Sequence, residues 1–226
     1  MTKYVAFFGD SITRGFGLSG WAPAHYPDSL PQVALSPPNQ CCAALTAHFG
    51  ETYVALNYGL SGNTASNSRP DVFDGYYGYL TGCLQYNPVL LMWMLGANDV
   101  LAGVTANSYG ADMQMIVTQS RLDSGLPVIV NSPLYRSDYA GITNCEALLR
   151  AYAGKCDALT DTIGGDQRGY QDVKDNASTY LQNPGPHLAA PGAAYVGGTL
   201  WYQQAVRALT MRQGRYTTNR RPSRSR

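Results

Sequence analysis

The chain opens on a short apolar run, Tyr4 to Phe8, that stops at Gly9 and Asp10, the pattern of a buried parallel strand ending at a loop. Three similar runs follow: Tyr53 to Leu56, Val89 to Leu95, and Val128 to Val130, the last ending at Asn131. Between them, Gln40 to Phe49, Gly75 to Leu84 and Ser108 to Leu122 carry Ala, Leu, Met and Gln at spacings that suit amphipathic helices. Strand and helix alternate. That alternation predicts a parallel sheet covered by helices on both faces, with its ligand crevice at the carboxyl ends of the strands. Further on, Asn144 to Thr162 reads as a helix, and Ile163 to Gln182 is polar with at most one short strand. A last helix is expected over Pro191 to Leu209, after the break at Pro184-Gly185-Pro186. The segment from Leu18 to Pro38 holds five prolines and follows the first strand directly, so it is expected to overhang the crevice.

Size and composition narrow the class. The 226 residues suit a single domain, assigned to 1–210, with an Arg-rich tail over 211–226 expected to fray into solvent. Apolar residues make up 45% and charged residues 14%, which excludes a disordered or coiled-coil chain. A formal net charge of +1 points to no nucleic-acid partner, and the tail has no apolar anchors between its arginines. None of the five cysteines stands in a C-x-x-C pair, so no metal is expected; no cofactor is expected either. Cys41 and Cys42 read as small buried side chains. No apolar run approaches transmembrane length, and Met1 to Tyr4 enters a strand without a signal-type segment. The expectation is a soluble protein, cytoplasmic or secreted after loss of a leader. Its oligomeric state is left open.

The chemistry collects at the strand ends. The first gives Gly9-Asp10-Ser11, the second Asn57 through Asn63, and the third Gly96-Ala97-Asn98-Asp99. Residues just past the ends of parallel strands share one sheet edge, so a hydroxyl, a glycine-rich turn and a carboxamide become neighbours. These are parts of an acyl-transfer site, which needs a nucleophile, a base and hydrogen-bond donors for an oxyanion. Of the three histidines, His25, His48 and His187, only His187 follows the whole alternating unit, where a returning loop can reach the same edge. Asp10 and Asp99 read as loop braces or helix caps. Tyr76, Tyr77 and Tyr79 read as packing residues, and Trp21, His25 and Tyr26 as candidate substrate contacts.

Phe7-Phe8-Gly9-Asp10-Ser11-Ile12-Thr13-Arg14-Gly15 resembles the first signature block of the SGNH, or GDSL-type, hydrolases, a family of esterases, lipases and carbohydrate deacetylases. Tyr58-Gly59-Leu60-Ser61-Gly62-Asn63-Thr64 resembles its second block, Leu95 through Asp99 its third, and Pro186-His187-Leu188 through Tyr195 its last. The resemblance implies a three-layer α/β/α sandwich with a flavodoxin-like parallel sheet of about five strands. It implies Ser11 as nucleophile, His187 as general base, and an oxyanion hole of the Ser11 N–H, the Gly62 N–H and the Asn98 side chain. The substrate it implies is a small-molecule or carbohydrate ester, with short acyl and O-acetyl groups ranked first.

One position departs from that pattern. The family places an aspartate three residues before its histidine, and here that residue is Pro184. Asn183, a carbonyl of Gln182 or Asn183, Asp172 or Asp175 could orient the imidazole instead, since the third member mainly fixes tautomer and orientation. Two further readings stand beside the esterase: a carbohydrate-binding or scaffold protein that kept the fold without catalysis, and a flavodoxin-like nucleotide binder.

Overall fold

The computed structural model describes residues 1–19, 34–72, 77–136, 145–159, 163–164, 168–182, 185 and 187–218. Trp21, His25, Tyr26, Tyr76, Asn183, Pro184 and the end of the tail, 219–226, lie outside the described residues. Within them five strands form one parallel sheet: β1 (Lys3–Gly9), β2 (Tyr53–Gly59), β3 (Leu90–Met94), β4 (Val128–Val130) and β5 (Ile163–Gly164). The order β2-β1-β3-β4-β5 is the flavodoxin-like one, in which the connections reverse direction next to β1.

The cores of β1, β3 and β4 are buried on both faces, which is why these segments read as continuous apolar runs. Side chains alternate across the sheet. Val5, Phe7, Leu90, Met92 and Ile129 enter one core with α2 (Pro37–Phe49) and the C-terminal helices α9 (Ala190–Tyr195) and α10 (Tyr202–Thr218). Ala6, Phe8, Leu91, Trp93, Val128 and Val130 enter the other with α3 (Gly78–Leu84), α5 (Ala106–Ser124) and α6 (Cys145–Asp157). The result is three layers. Cys41 and Cys42 are buried on α2, and burial pushes both thiols up, as expected of small core side chains.

Register matters most at the sheet's carboxyl edge. Phe8 pairs with Tyr58 on one side and Trp93 on the other, and its ring stacks on both, with centroids 5.2 and 4.5 Å apart. Such pairs contribute about 0.5–1.5 kcal/mol each beyond burial. This aromatic row lies one residue before Gly9 on β1, so it fixes the relative height of the three loops that leave β1, β2 and β3. Tyr77 joins the same cluster, stacking on Trp93 and donating its hydroxyl to Asp123, while Tyr79 is exposed.

Two stretches differ from the expectations. Within Ile163 to Gln182, the structure has β5 followed by α7 (Arg168–Asp175) and α8 (Ala177–Tyr180). The polar look of α7 reflects a helix with one narrow buried stripe, Gly169, Tyr170 and Val173. The final helix starts at Ala190, runs through a π-helical stretch, Val196–Trp201, and continues to Thr218, so the first part of the Arg-rich segment is helical. Short turns of helix, α1 (Ser11–Arg14) and α4 (Ala97–Leu101), begin inside the motifs themselves. No helix among the described residues is long and apolar enough to cross a membrane.

Candidate active site

Ser11 is the first residue of α1. The turn is set by its neighbours: the Asp10 carboxylate caps it by accepting from the Ile12 N–H at 2.8 Å, and Gly15 closes it in a left-handed conformation. A residue at this first helical position has no intrahelical acceptor for its own N–H, which leaves the Ser11 N–H available to an anion. Asp10 is buried, and burial raises its carboxyl to about 6. It caps and braces, as the sequence suggested.

The second loop forms a β-turn. Asn63 N–H donates to the Leu60 carbonyl at 3.1 Å, with Gly62 third in the turn at φ +81°. That position of a type II turn demands positive φ, which glycine adopts without the cost an L side chain meets. The Gly62 N–H has no partner among the described residues. Asn63 ties this turn to its neighbours: its Nδ2 donates to Ser68 Oγ at 2.9 Å and to the Gly9 carbonyl at 3.4 Å. Its carbonyl accepts from Asn98 Nδ2 at 2.9 Å. One Asn98 amide proton is thereby committed and the carboxamide's rotation fixed, with the second proton left over. Asp99, next in chain, accepts from the Ala65 N–H at 2.9 Å, and burial raises its carboxyl to about 6.

His187 returns to this edge from the other end of the chain. Its Nε2 lies 2.9 Å from Ser11 Oγ, although the two residues stand 176 positions apart in the chain. The Phe16 ring packs on the imidazole with centroids 4.4 Å apart. The distance is that of a hydrogen bond between a hydroxyl and an imidazole nitrogen. Of the groups considered for orienting His187, the Asp172 carboxylate accepts from the Tyr195 hydroxyl, and Asp175 accepts from Gln171 at 2.7 Å on its own helix. Asn183 lies outside the described residues. His48 sits elsewhere, bonded to the Tyr202 hydroxyl at 2.9 Å.

Two participants escaped the sequence reading. Asn63 stands beside Gly62 but reads as an ordinary turn residue. Arg136 is buried behind the third loop and donates to the Ala97 carbonyl at 3.2 Å, and its charge holds the Asp10 carboxyl below where burial alone would put it. An arginine six residues beyond an apolar strand was its only signal.

The chain matches the GDSL-like Lipase/Acylhydrolase family over residues 7–195. It belongs to that family. Among solved structures it resembles an acetylxylan esterase from Geobacillus stearothermophilus, with a TM-score of 0.63 and 17% identity over 92% of this chain and 94% of that one. It also resembles a lipase/acylhydrolase from Enterococcus faecalis, with a TM-score of 0.63 and 20% identity over 93% of this chain and 96% of that one. At these identities the likeness is one of fold. No curated protein matches the chain.

Proposed function

We propose that this GDSL-family protein is a serine esterase that removes short acyl or O-acetyl groups from small-molecule or carbohydrate esters. The reading rests above all on the 2.9 Å approach of His187 Nε2 to Ser11 Oγ beside the Gly62 turn and Asn98. His187 takes the hydroxyl proton as Ser11 Oγ attacks the ester carbonyl carbon. The oxygen of the tetrahedral intermediate accepts from the Ser11 N–H, the Gly62 N–H and the second Asn98 Nδ2–H. On collapse the carbon–alkoxy bond breaks, His187 gives its proton to the departing alcohol, and the acyl group stays on Ser11. Water, deprotonated by His187, then attacks the acyl carbon; the bond from that carbon to Ser11 Oγ breaks, His187 returns the proton to Oγ, and the free carboxylic acid departs. These steps need neither metal nor cofactor.

The preference for acetyl groups on carbohydrate is supported by the acetylxylan esterase among the similar folds. Pro184 favours a second reading, a binding protein without catalysis, because it stands where the family keeps its acid. A fluorophosphonate probe separates the two. The esterase reading expects covalent labelling that disappears in Ser11→Ala, together with turnover of p-nitrophenyl acetate or an acetylated xylooligosaccharide. A well-folded protein that takes no label and turns over neither ester leaves the binding protein.

A further inference from the structure

The side chain of Gln182 helps to hold the segment that carries His187. Gln182 Nε2 donates to the Phe16 carbonyl and to the Leu188 carbonyl, each at 2.9 Å, which uses both of its amide protons. The Gln182 N–H donates to the His187 carbonyl at 2.8 Å, and Leu181 and Leu188 form an antiparallel bridge, so the chain turns back on itself around the histidine. Phe16 in turn donates its N–H to the Ser11 carbonyl at 3.0 Å. A continuous path of hydrogen bonds thus runs from the Ser11 carbonyl through Phe16 and Gln182 to the two residues His187 and Leu188. The carboxamide packs against Gly17: a Cβ there would lie 2.4 Å from Gln182 Oε1 and would displace it.

We propose that Gln182 is a positioning residue that sets the distance and direction of the His187 imidazole relative to Ser11 Oγ. The inference rests on the reading of Ser11 and His187 as nucleophile and base. A general base works only when its ring is held in line with the nucleophile, so the loop that carries it needs a fixed placement. Gln182 meets that need from outside the motif, by registering the loop of the base directly on the loop of the nucleophile.

The test is a double-mutant cycle on p-nitrophenyl acetate. Gln182→Met keeps length and volume and removes both donors. It is expected to lower kcat by about 10²-fold, the scale of a misplacement near 1 Å, with KM little changed, since no substrate contact is removed. In a His187→Ala background the same substitution is expected to cost nothing more. Gly17→Ala, which displaces the carboxamide from the opposite side at an exposed position, should lower kcat in the same direction and serves if Gln182→Met fails to fold. Two results overturn the inference: wild-type kcat in Gln182→Met or, where that protein does not fold, in Gly17→Ala; or an equal proportional loss with and without His187, which marks a merely structural role. Full activity in His187→Ala overturns instead the catalytic reading beneath it.

Discussion

Asn98 and Asn63 are joined by a hydrogen bond of 2.9 Å from the side chain of one to the carbonyl of the other, which couples the third loop to the turn that presents Gly62. An oxyanion donor is worth most when its direction is fixed before the reaction begins. Asn98→Ala is therefore expected to fold and bind ester normally while kcat falls by about 10²–10³-fold. Asn98→Asp should be worse, because a carboxylate cannot donate and would face both the Asn63 carbonyl and the developing oxyanion. Steady-state kinetics on p-nitrophenyl acetate decide it: an Asn98→Asp enzyme faster than Asn98→Ala would remove Asn98 from the oxyanion hole.

The aromatic row under the loops sets their height, and its centre is Phe8. Phe8→Ala removes a fully buried ring that stacks on Tyr58 and Trp93, so a loss of about 3–5 kcal/mol of stability is expected. Phe8→Leu keeps most of the volume and should cost less, yet it loses both stacks at the register point of three strands. Urea unfolding monitored by circular dichroism measures both. A Phe8→Ala protein within about 1 kcal/mol of wild type would mean that the row does not hold the edge together.

Much of this architecture was legible because its signals are local. The four longer strands announce themselves as apolar runs ended by small polar residues, and the motifs lie where those runs end. The segment between Ile163 and Gln182 was not legible for a physical reason: α7 buries only Gly169, Tyr170 and Val173, too narrow a stripe to stand out from a polar loop. The site divides in the same way. Ser11, Gly62, Asn98 and His187 are side chains or turns whose chemistry shows in their type. Asn63, Arg136 and Gln182 act by bonding to main-chain carbonyls of Gly9, Ala97, Phe16 and Leu188, and no residue pattern records which carbonyl will face them.

The two buried carboxyls make stability depend on pH. Asp10 and Asp99 are both raised to about 6 by burial, against an ordinary value of 3.8. Between roughly pH 4 and 6 the folded protein therefore holds protons that the unfolded chain releases, and stability contributed by these groups falls as pH rises through that window. Above it the loss is complete, on the order of 1–3 kcal/mol per group. Asp10→Asn and Asp99→Asn cannot ionise, so their stability relative to wild type should improve steadily from pH 4 to pH 7. Urea midpoints taken across that range check the slope. A difference that stays flat or runs the other way would show that neither carboxyl is raised.

Arg136 sharpens that expectation for one of the two groups. Burial drives the Asp10 carboxyl up to about 6, against the lowering pull of the Ile12 N–H and, after it, of the buried Arg136 guanidinium. Arg136→Met keeps a chain of similar length and removes the charge, so Asp10 should hold its proton to a higher pH than in wild type. Arg136→Lys keeps the charge and should leave Asp10 close to its original value, though the bond to the Ala97 carbonyl depends on the longer guanidinium reach. Carbon-13 NMR titration of the Asp10 carboxyl reads the shift directly. With the cation gone, the proton that Asp10 retains near neutral pH converts a carboxylate cap of the Ser11 turn into a weaker, neutral one, so kcat at pH 7 should fall in Arg136→Met and recover in Arg136→Lys. An Asp10 carboxyl that titrates at or below its wild-type value in Arg136→Met would show that the guanidinium's field does not reach it.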